Sequence, residues 1–357
     1  MRTRSAEQRY RERVARVVAF IVAHPLEAHR LEDLAAMAHF SPCHFHRVYS
    51  SVVGETVAAT VRRVRLALAA RLLEAGRQSI VQVALAVGYD SPQAFVRDCA
   101  ATGTRLPLVV VSHGTGGSFL GHHDTAARLA DAGFVVAAIS HPGDNFQDLG
   151  RQAHLSAFAT RPVDMKRLID HMLGTWPEHA GLDADRVGIF GFSRGGHTGL
   201  AAVGAIPNWT LRKDLCPAGS TLALCEEIRR NEWPPAPERD PRIRAAVIVD
   251  TLSVFDAEGL RHVTVPVQLW ASAHGGDGVT PESVEAVRKS LPAPPDWHVA
   301  KGATHFAFLA PCAPALASMA PTICHDRPGF DRAVFHAAFN AAVLAFFQRT
   351  IGRQARP

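Results

Sequence analysis

From Leu106 onward, short apolar runs alternate with stretches of helical period, a texture that predicts a mostly parallel sheet flanked by helices. LPLVVVSHG reads as a buried strand from residue 106, 124–132 as a helix, 134–139 as a strand and 162–174 as a helix. A strand over 187–190 runs into a glycine-rich corner and a small-residue helix. Further strands are expected at 243–250, 267–271 and 297–300, with helices at 281–291 and 331–349. Residues 206–240 hold Pro, Trp and charge without a period. They read as an insertion that passes over the C-terminal edge of the sheet as a lid or substrate wall.

The first hundred residues differ. They are rich in Ala, Arg, Leu and Val with helical spacing, and they show no strand alternation. A weak repeat runs through them: LAAMAHFSPCHFHR, from Leu34, aligns with VALAVGYDSPQAFVR, from Val83, with one residue inserted. Each copy predicts a short helix, a turn, and a second helix opened by Ser-Pro. Ser41 and Ser91 suit the N-cap, while Pro42 and Pro92 suit the first helical position, where a missing N–H costs nothing. Phe45 and Phe95 should face inward, and His44, His46, Arg47, Gln93, Ala94 and Arg97 outward. Between the copies, 56–74 reads as one long helix carrying Arg62, Arg63 and Arg65. The pattern divides the chain into 1–103 and 104–357.

Charge follows the same division. Residues 1–105 carry fifteen Arg, no Lys and nine acids, a net +6, while the remainder sums to −1 against +5 for the chain. An Arg-only basic segment suits phosphate and base-edge contacts; a solvated helical surface is the plainer reading. No run approaches the roughly twenty apolar residues of a membrane span, and no signal peptide is expected. These features predict a cytoplasmic protein with no membrane partner. The six Cys form no CxxC; Cys216/Cys225 and Cys312/Cys324 could pair in an oxidising compartment, but in a cytoplasmic protein they are expected as reduced thiols. Cys43-His44-Phe45-His46 fits no standard zinc spacing, so no metal or other cofactor is expected.

Chemistry concentrates at Gly191-Phe192-Ser193-Arg194-Gly195. This is G-x-S-x-G between a strand and a helix, where the corner is too tight for a Cβ beside the serine. The bare pattern is weak; its strand-turn-helix setting makes Ser193 the candidate nucleophile. A general base should follow a late strand, and His305 in KGATHFAFL does. For the acid, Asp277 on a glycine loop after the strand from Val267 is favoured, with Asp250 at the end of the preceding strand as the rival. For each acid a turn or capping role is the plainer reading. An oxyanion hole needs two N–H donors, expected from Arg194 and from Thr115 in SHGTGGS. No Lys-Ser/Thr follows that loop, so it does not read as a phosphate cradle.

Two resemblances follow. HFSPCHFHRVYSSVVGET and VALAVGYDSPQAFVRD resemble the DNA-binding domain of AraC-type transcription regulators, which implies double-stranded DNA as partner. It also implies contacts from Cys43, His44, His46, Arg47, Gln93, Ala94 and Arg97. The family continues its last helix into a basic tail, whereas here the pattern stops at Asp98-Cys99-Ala100. SHGTGGS, ISHPGDN, GIFGFSRGGH, VTVPVQLW and GATHFAFLAPC together resemble the predicted dienelactone hydrolase group related to platelet-activating-factor acetylhydrolases. That implies an α/β-hydrolase fold and cofactor-free hydrolysis of a small ester or lactone, with Ser193 where true dienelactone hydrolases carry Cys. It also implies two or three strands ahead of the HG loop, whose room is taken here by helical sequence. The alternative reading is an AraC-type regulator whose hydrolase-like domain senses a ligand without turnover. Oligomeric state is not legible.

Overall fold

The computed structural model describes residues 6–74, 80–89, 91, 94–96, 105–211, 216 and 219–352. The chain separates into two compact units, Met1–Arg105 and Leu106–Pro357.

In the first unit, α1 (Ala6–Ala23), α2 (Leu31–Met37), α3 (Pro42–Val53), α4 (Val57–Glu74) and α5 (Ile80–Ala86) follow in order. Val14, Val17, Ile21, Leu34, Phe45 and Tyr49 form one core, so the apolar stripes of α1, α2 and α3 close on each other. The repeat is visible in the backbone. After α2, the N–H of His39 donates to Ala36 and that of Phe40 to Ala35. After α5, Gly88 donates to Leu85 and Tyr89 to Ala84. His39 and Gly88 both have positive φ, 55° and 82°, at the same place in the turn. Phe45 and Phe95 are both buried. Ser41 is extended at the N-cap with Pro42 following, but its side chain makes no cap bond, whereas Ser91 Oγ accepts from Ala94 N–H at 3.2 Å. Arg65 turns inward onto the carbonyls of Pro25, Glu27 and Gly88, which ties α4 to the loop between α1 and α2 and to the turn after α5.

The second unit is a six-stranded parallel sheet, β1 (Leu106–Ser112), β2 (Val135–Ala138), β3 (Leu182–Phe192), β4 (Ile243–Val249), β5 (Val267–Ser272) and β6 (Asp296–Ala300). Its order is β2-β1-β3-β4-β5-β6. β2 is one edge, so the sheet ends where the missing strands of the resemblance would begin.

Period-two alternation sorts the side chains. Leu108, Val110, Ile189 and Ile248 face α7 (Ser156–Asp170), α8 (Arg194–Ala202) and α10 (Pro281–Ser290). Val109, Val111, Phe190 and Val247 face α6 (His123–Asp131) and α11 (Arg332–Ile351), which supplies Phe339, Val343 and Phe347. Each fully buried Phe contributes about 1.5–3 kcal/mol.

Three expectations need correcting. The helix expected at 162–174 begins at Ser156, with Pro162 inside it; proline's preference for the first turn misplaced the start. The 206–240 insertion carries a helix, α9 (Ala223–Arg230), that docks on the loop before α7. Leu224 N–H donates to Ala153 O, and the Glu227 carboxylate meets the His154 ring and the Leu155 N–H. The cysteines expected as free thiols are disulfides, Cys216–Cys225 and Cys312–Cys324, with Cα atoms 5.3 and 5.7 Å apart. In each case the fold brings back together two ends of a short excursion. Among the described residues no helix is long and apolar enough to cross a membrane.

Candidate active site

β3 delivers Ser193 to the corner before α8. Its backbone is at φ 57°, ψ −119°, a conformation a non-glycine residue adopts only when its surroundings enforce it. They do so here. A Cβ on Gly191 would overlap the carbonyl of Gly195, and one on Gly195 would overlap the carbonyl of Ser112. The Ser193 N–H is held by Val249 O at 2.9 Å, and its carbonyl accepts from Gly196 and Leu252. The serine is thus fixed at the C-terminal rim of the sheet, between β1 and β4, with 3% of its surface exposed.

His305 lies on the turn after β6, stacked on Phe192 with ring centroids 4.7 Å apart. Its Nδ1 faces the Asp250 carboxylate at 2.7 Å, and both side chains are sealed from solvent. Its Nε2 is buried and makes no hydrogen bond among the described residues. Ser193 and His305 are neighbours through Phe192, but their side chains are not hydrogen-bonded to each other; that bond is commonly long before substrate is bound.

The structure brings Asp250, not Asp277, against the histidine. Asp250 ends β4 at φ 43°. Its Oδ1 accepts from Ser272 N–H at 2.7 Å and its Oδ2 from the Ser272 hydroxyl at 2.9 Å, which aims the carboxylate at His305. Asp277 is exposed, at φ 48°, and is followed by Gly278 at φ 77°. Gly276 and Val279 exchange both backbone hydrogen bonds around them. This is the Asp-Gly pair of a two-residue hairpin turn, which needs positive φ at both positions. The hairpin supports the histidine through its backbone instead: His305 N–H donates to Gly275 O at 2.9 Å.

Arg194 and Thr115 are the residues expected to supply the oxyanion amides. Arg194 is the first residue of α8. Thr115 follows Gly114, where a Cβ would stand 3.3 Å from the Ser193 Cβ. Beneath this loop lies a buried polar cluster that sequence reasoning missed. Arg161, 1% exposed, sends Nη1 to His113 O at 2.7 Å and Nη2 to Gly114 O at 3.0 Å. Asp144 Oδ2 lies 3.0 Å from Arg161 Nε and 2.8 Å from Arg194 Nη1, while Oδ1 accepts from Gly116 N–H at 3.0 Å.

Burial pushes Arg161 down to about 10, with Asp144 pulling it back, so it is cationic at neutral pH. Burial and then Arg161 push His113 down to about 3, and the same causes lower His141. Both rings are therefore neutral. His113 Nε2 accepts from His141 N–H at 3.0 Å, so its proton is on Nδ1, which donates to Gly114 O at 2.6 Å. One signal was available: Asp144 stands in the ISHPGDN phrase.

In the helical unit, His46 and Arg47 are exposed on α3. His44 is not outward: it is half-buried and packs edge-on against Phe40 and Tyr10, at 5.0 and 5.9 Å, because α3 turns that face toward α1. Gln93 and Arg97 lie outside the described residues.

Residues 34–109 match the helix-turn-helix domain family, and residues 104–213 match the family described as serine aminopeptidase, S33. An uncharacterized HTH-type transcriptional regulator of Bacillus subtilis is 35% identical over 88 residues, covering 25% of this chain and 30% of that protein. An HTH-type transcriptional regulator of Mycobacterium tuberculosis is 39% identical over 70 residues, 20% of this chain and 27% of that one. The chain thus spans less than a third of the length of either relative. Among solved structures, a ferulic acid esterase from Streptomyces cinnamoneus is similar at a TM-score of 0.48 and 22% identity, over 71% of each chain. The chain is built from an N-terminal helical helix-turn-helix region followed by an α/β-hydrolase-like domain on a parallel six-stranded sheet.

Proposed function

We propose that the second unit is a serine esterase acting on a small carboxylic ester or lactone, with Ser193 as nucleophile, His305 as general base and Asp250 as the acid. The observation that carries this reading is the strained corner at Ser193 beside a buried His305–Asp250 pair. Asp250 fixes the imidazole with Nδ1 facing the carboxylate, which leaves Nε2 to take the serine proton. Oγ then bonds to the ester carbonyl carbon, and the carbonyl electron pair moves onto oxygen, where the Arg194 and Thr115 amides receive it. Collapse breaks the bond to the leaving alkoxide, which takes the proton from Nε2. Water, deprotonated at the same nitrogen, releases the acid and restores the serine. The phrases SHGTGGS and GATHFAFLAPC support the dienelactone hydrolase and platelet-activating-factor acetylhydrolase-like group as the closer affiliation.

The test is turnover of p-nitrophenyl acetate together with labelling by a fluorophosphonate probe, mapped to its peptide. Turnover that vanishes in Ser193→Ala, with label on Ser193 in the wild type, is expected. Equal rates in the two proteins would remove the reading.

The helical unit is proposed to bind double-stranded DNA through His46 and Arg47 on the exposed side of α3, together with Gln93 and Arg97 of the second repeat copy. DNA as partner implies the cytoplasm. The two disulfides argue the other way, since such bonds persist chiefly in oxidising compartments.

A further inference from the structure

We infer that Arg161, locked to Asp144, is a positioning residue for the oxyanion hole. The inference rests on the esterase reading above.

In a trans peptide the carbonyl and the following N–H point in opposite directions. Arg161 binds the carbonyls of two successive peptides, His113 O through Nη1 and Gly114 O through Nη2. The second carbonyl also accepts from His113 Nδ1 at 2.6 Å and from Gly117 N–H at 3.3 Å. With those oxygens turned into the buried cluster, the N–H groups of Gly114 and Thr115 are turned out of it. A Cβ added at Gly114 would stand 3.1 Å from the Phe192 ring and 3.3 Å from the Ser193 Cβ, so this loop runs beside the nucleophile, the side we assign to the outward N–H groups. The guanidinium therefore selects the peptide orientation that gives the hole its first donor.

Asp144 links this arm to the other. One carboxylate oxygen holds the Gly116 N–H of the same loop. The second oxygen lies between Arg161 Nε and Arg194 Nη1. Arg194 is the residue whose backbone supplies the second donor, and its guanidinium is further held by Gln152 O at 2.9 Å and by the face of Phe158, 4.4 Å to the ring centroid. A single buried carboxylate thus fixes the spacing between the loop after β1 and the start of α8. None of these side chains needs to touch substrate. Their effect falls on the tetrahedral intermediate, whose charge the two amides meet, and little on the ester ground state.

The test is steady-state kinetics on the full chain carrying Arg161→Lys or Asp144→Asn. p-Nitrophenyl acetate is the substrate and an aryl trifluoromethyl ketone, which adds serine to form a bound oxyanion, is the probe. For Arg161→Lys we expect kcat to fall about 100-fold, the scale of losing one oxyanion donor. KM should stay within about threefold, and inhibition by the ketone should weaken by the same factor as kcat. Asp144→Asn keeps the side-chain shape and should lose about tenfold in both kcat and ketone affinity; it decides the matter if the lysine variant gives no cooperative melt. Unchanged kcat in a folded variant overturns the inference and leaves the esterase standing. So does a fall in kcat with ketone affinity intact. A wild type that neither turns over nor labels overturns the esterase reading and this inference with it.

Discussion

His305 Nδ1 lies 2.7 Å from Asp250 Oδ2, at the end of β4, with 1% and 0% of the two side chains exposed. A carboxylate in that position holds the imidazole in one tautomer and would stabilise the imidazolium formed in the proposed acyl transfer. Replacement by the isosteric amide keeps the shape and loses the tautomer. Asp250→Asn should therefore lower kcat for p-nitrophenyl acetate by about 10³–10⁴-fold. Asp277→Asn, on an exposed turn, should leave kcat within about twofold. The reverse ranking would return the acid to the hairpin.

Close approach at the serine corner sets a second expectation. A methyl group at Gly195 has no room, because the Ser112 carbonyl occupies its place, whereas Gly174 has open space around its Cβ position. Overpacking of this kind costs about 3 kcal/mol or more, since backbone must move on both sides. Gly195→Ala should lower the thermal midpoint of the second unit by several degrees and abolish turnover. Gly174→Ala should do neither.

The buried histidines give the acid limb a definite sign. His113 and His122 are both pushed down to about 3, chiefly by burial, from 6.5. The unfolded chain therefore takes up their protons below about pH 6.5, while the folded chain does so only near pH 3. Their contribution to stability is whole above pH 6.5 and is lost as pH falls through the window. Each adds about 1.4 kcal/mol per pH unit to the slope. Denaturant melts of His122→Gln between pH 6 and pH 4 should show a slope shallower by that amount than the wild type. A parallel pair of curves would mean that His122 is protonated in the folded protein.

DNA contact by α3 can be read from salt. Arg47 is exposed on that helix. If it meets a phosphate, Arg47→Ala should weaken binding alike across sequences and reduce the slope of log K against log salt by about 0.9. If it meets a guanine edge, discrimination at one base pair should relax instead, by about 1–3 kcal/mol. Gel shifts at three salt concentrations on a random and a selected duplex separate the two. Binding unchanged in both respects would take Arg47 out of the interface.

The strand and helix order from Leu106 onward was legible because buried parallel strands are short and nearly all apolar. The serine corner was legible because sterics demand glycine on both sides of it. His305 could be placed by its position after the last strand. The acid was harder: Asp250 and Asp277 both follow strands, and only the Gly that comes after Asp277 carries the hairpin signal that separates them. Arg161 was not legible as part of a site, and for Asp144 the only signal was its place in the ISHPGDN phrase. Nothing in the sequence distinguishes a buried arginine from the many solvated ones, and the contacts that define its role are to main-chain carbonyls, which carry no residue code. His44 was expected to face outward because the period of α3 alone does not say how far Tyr10 and Phe40 reach around it.

The strand order has a consequence for what this architecture tolerates. Ser193, Asp250 and the loop bearing Thr115 all hang from β3, β4 and β1, and each of these strands is flanked on both sides, whereas the margin at β2 holds none of them. Adding a strand beyond β2 alters what the sheet offers to a neighbour and how much it resists unfolding. It does not displace the groups proposed to do the chemistry. A sheet arranged in this way keeps the proposed reactive centre on its inner strands, away from the margin where its extent can vary.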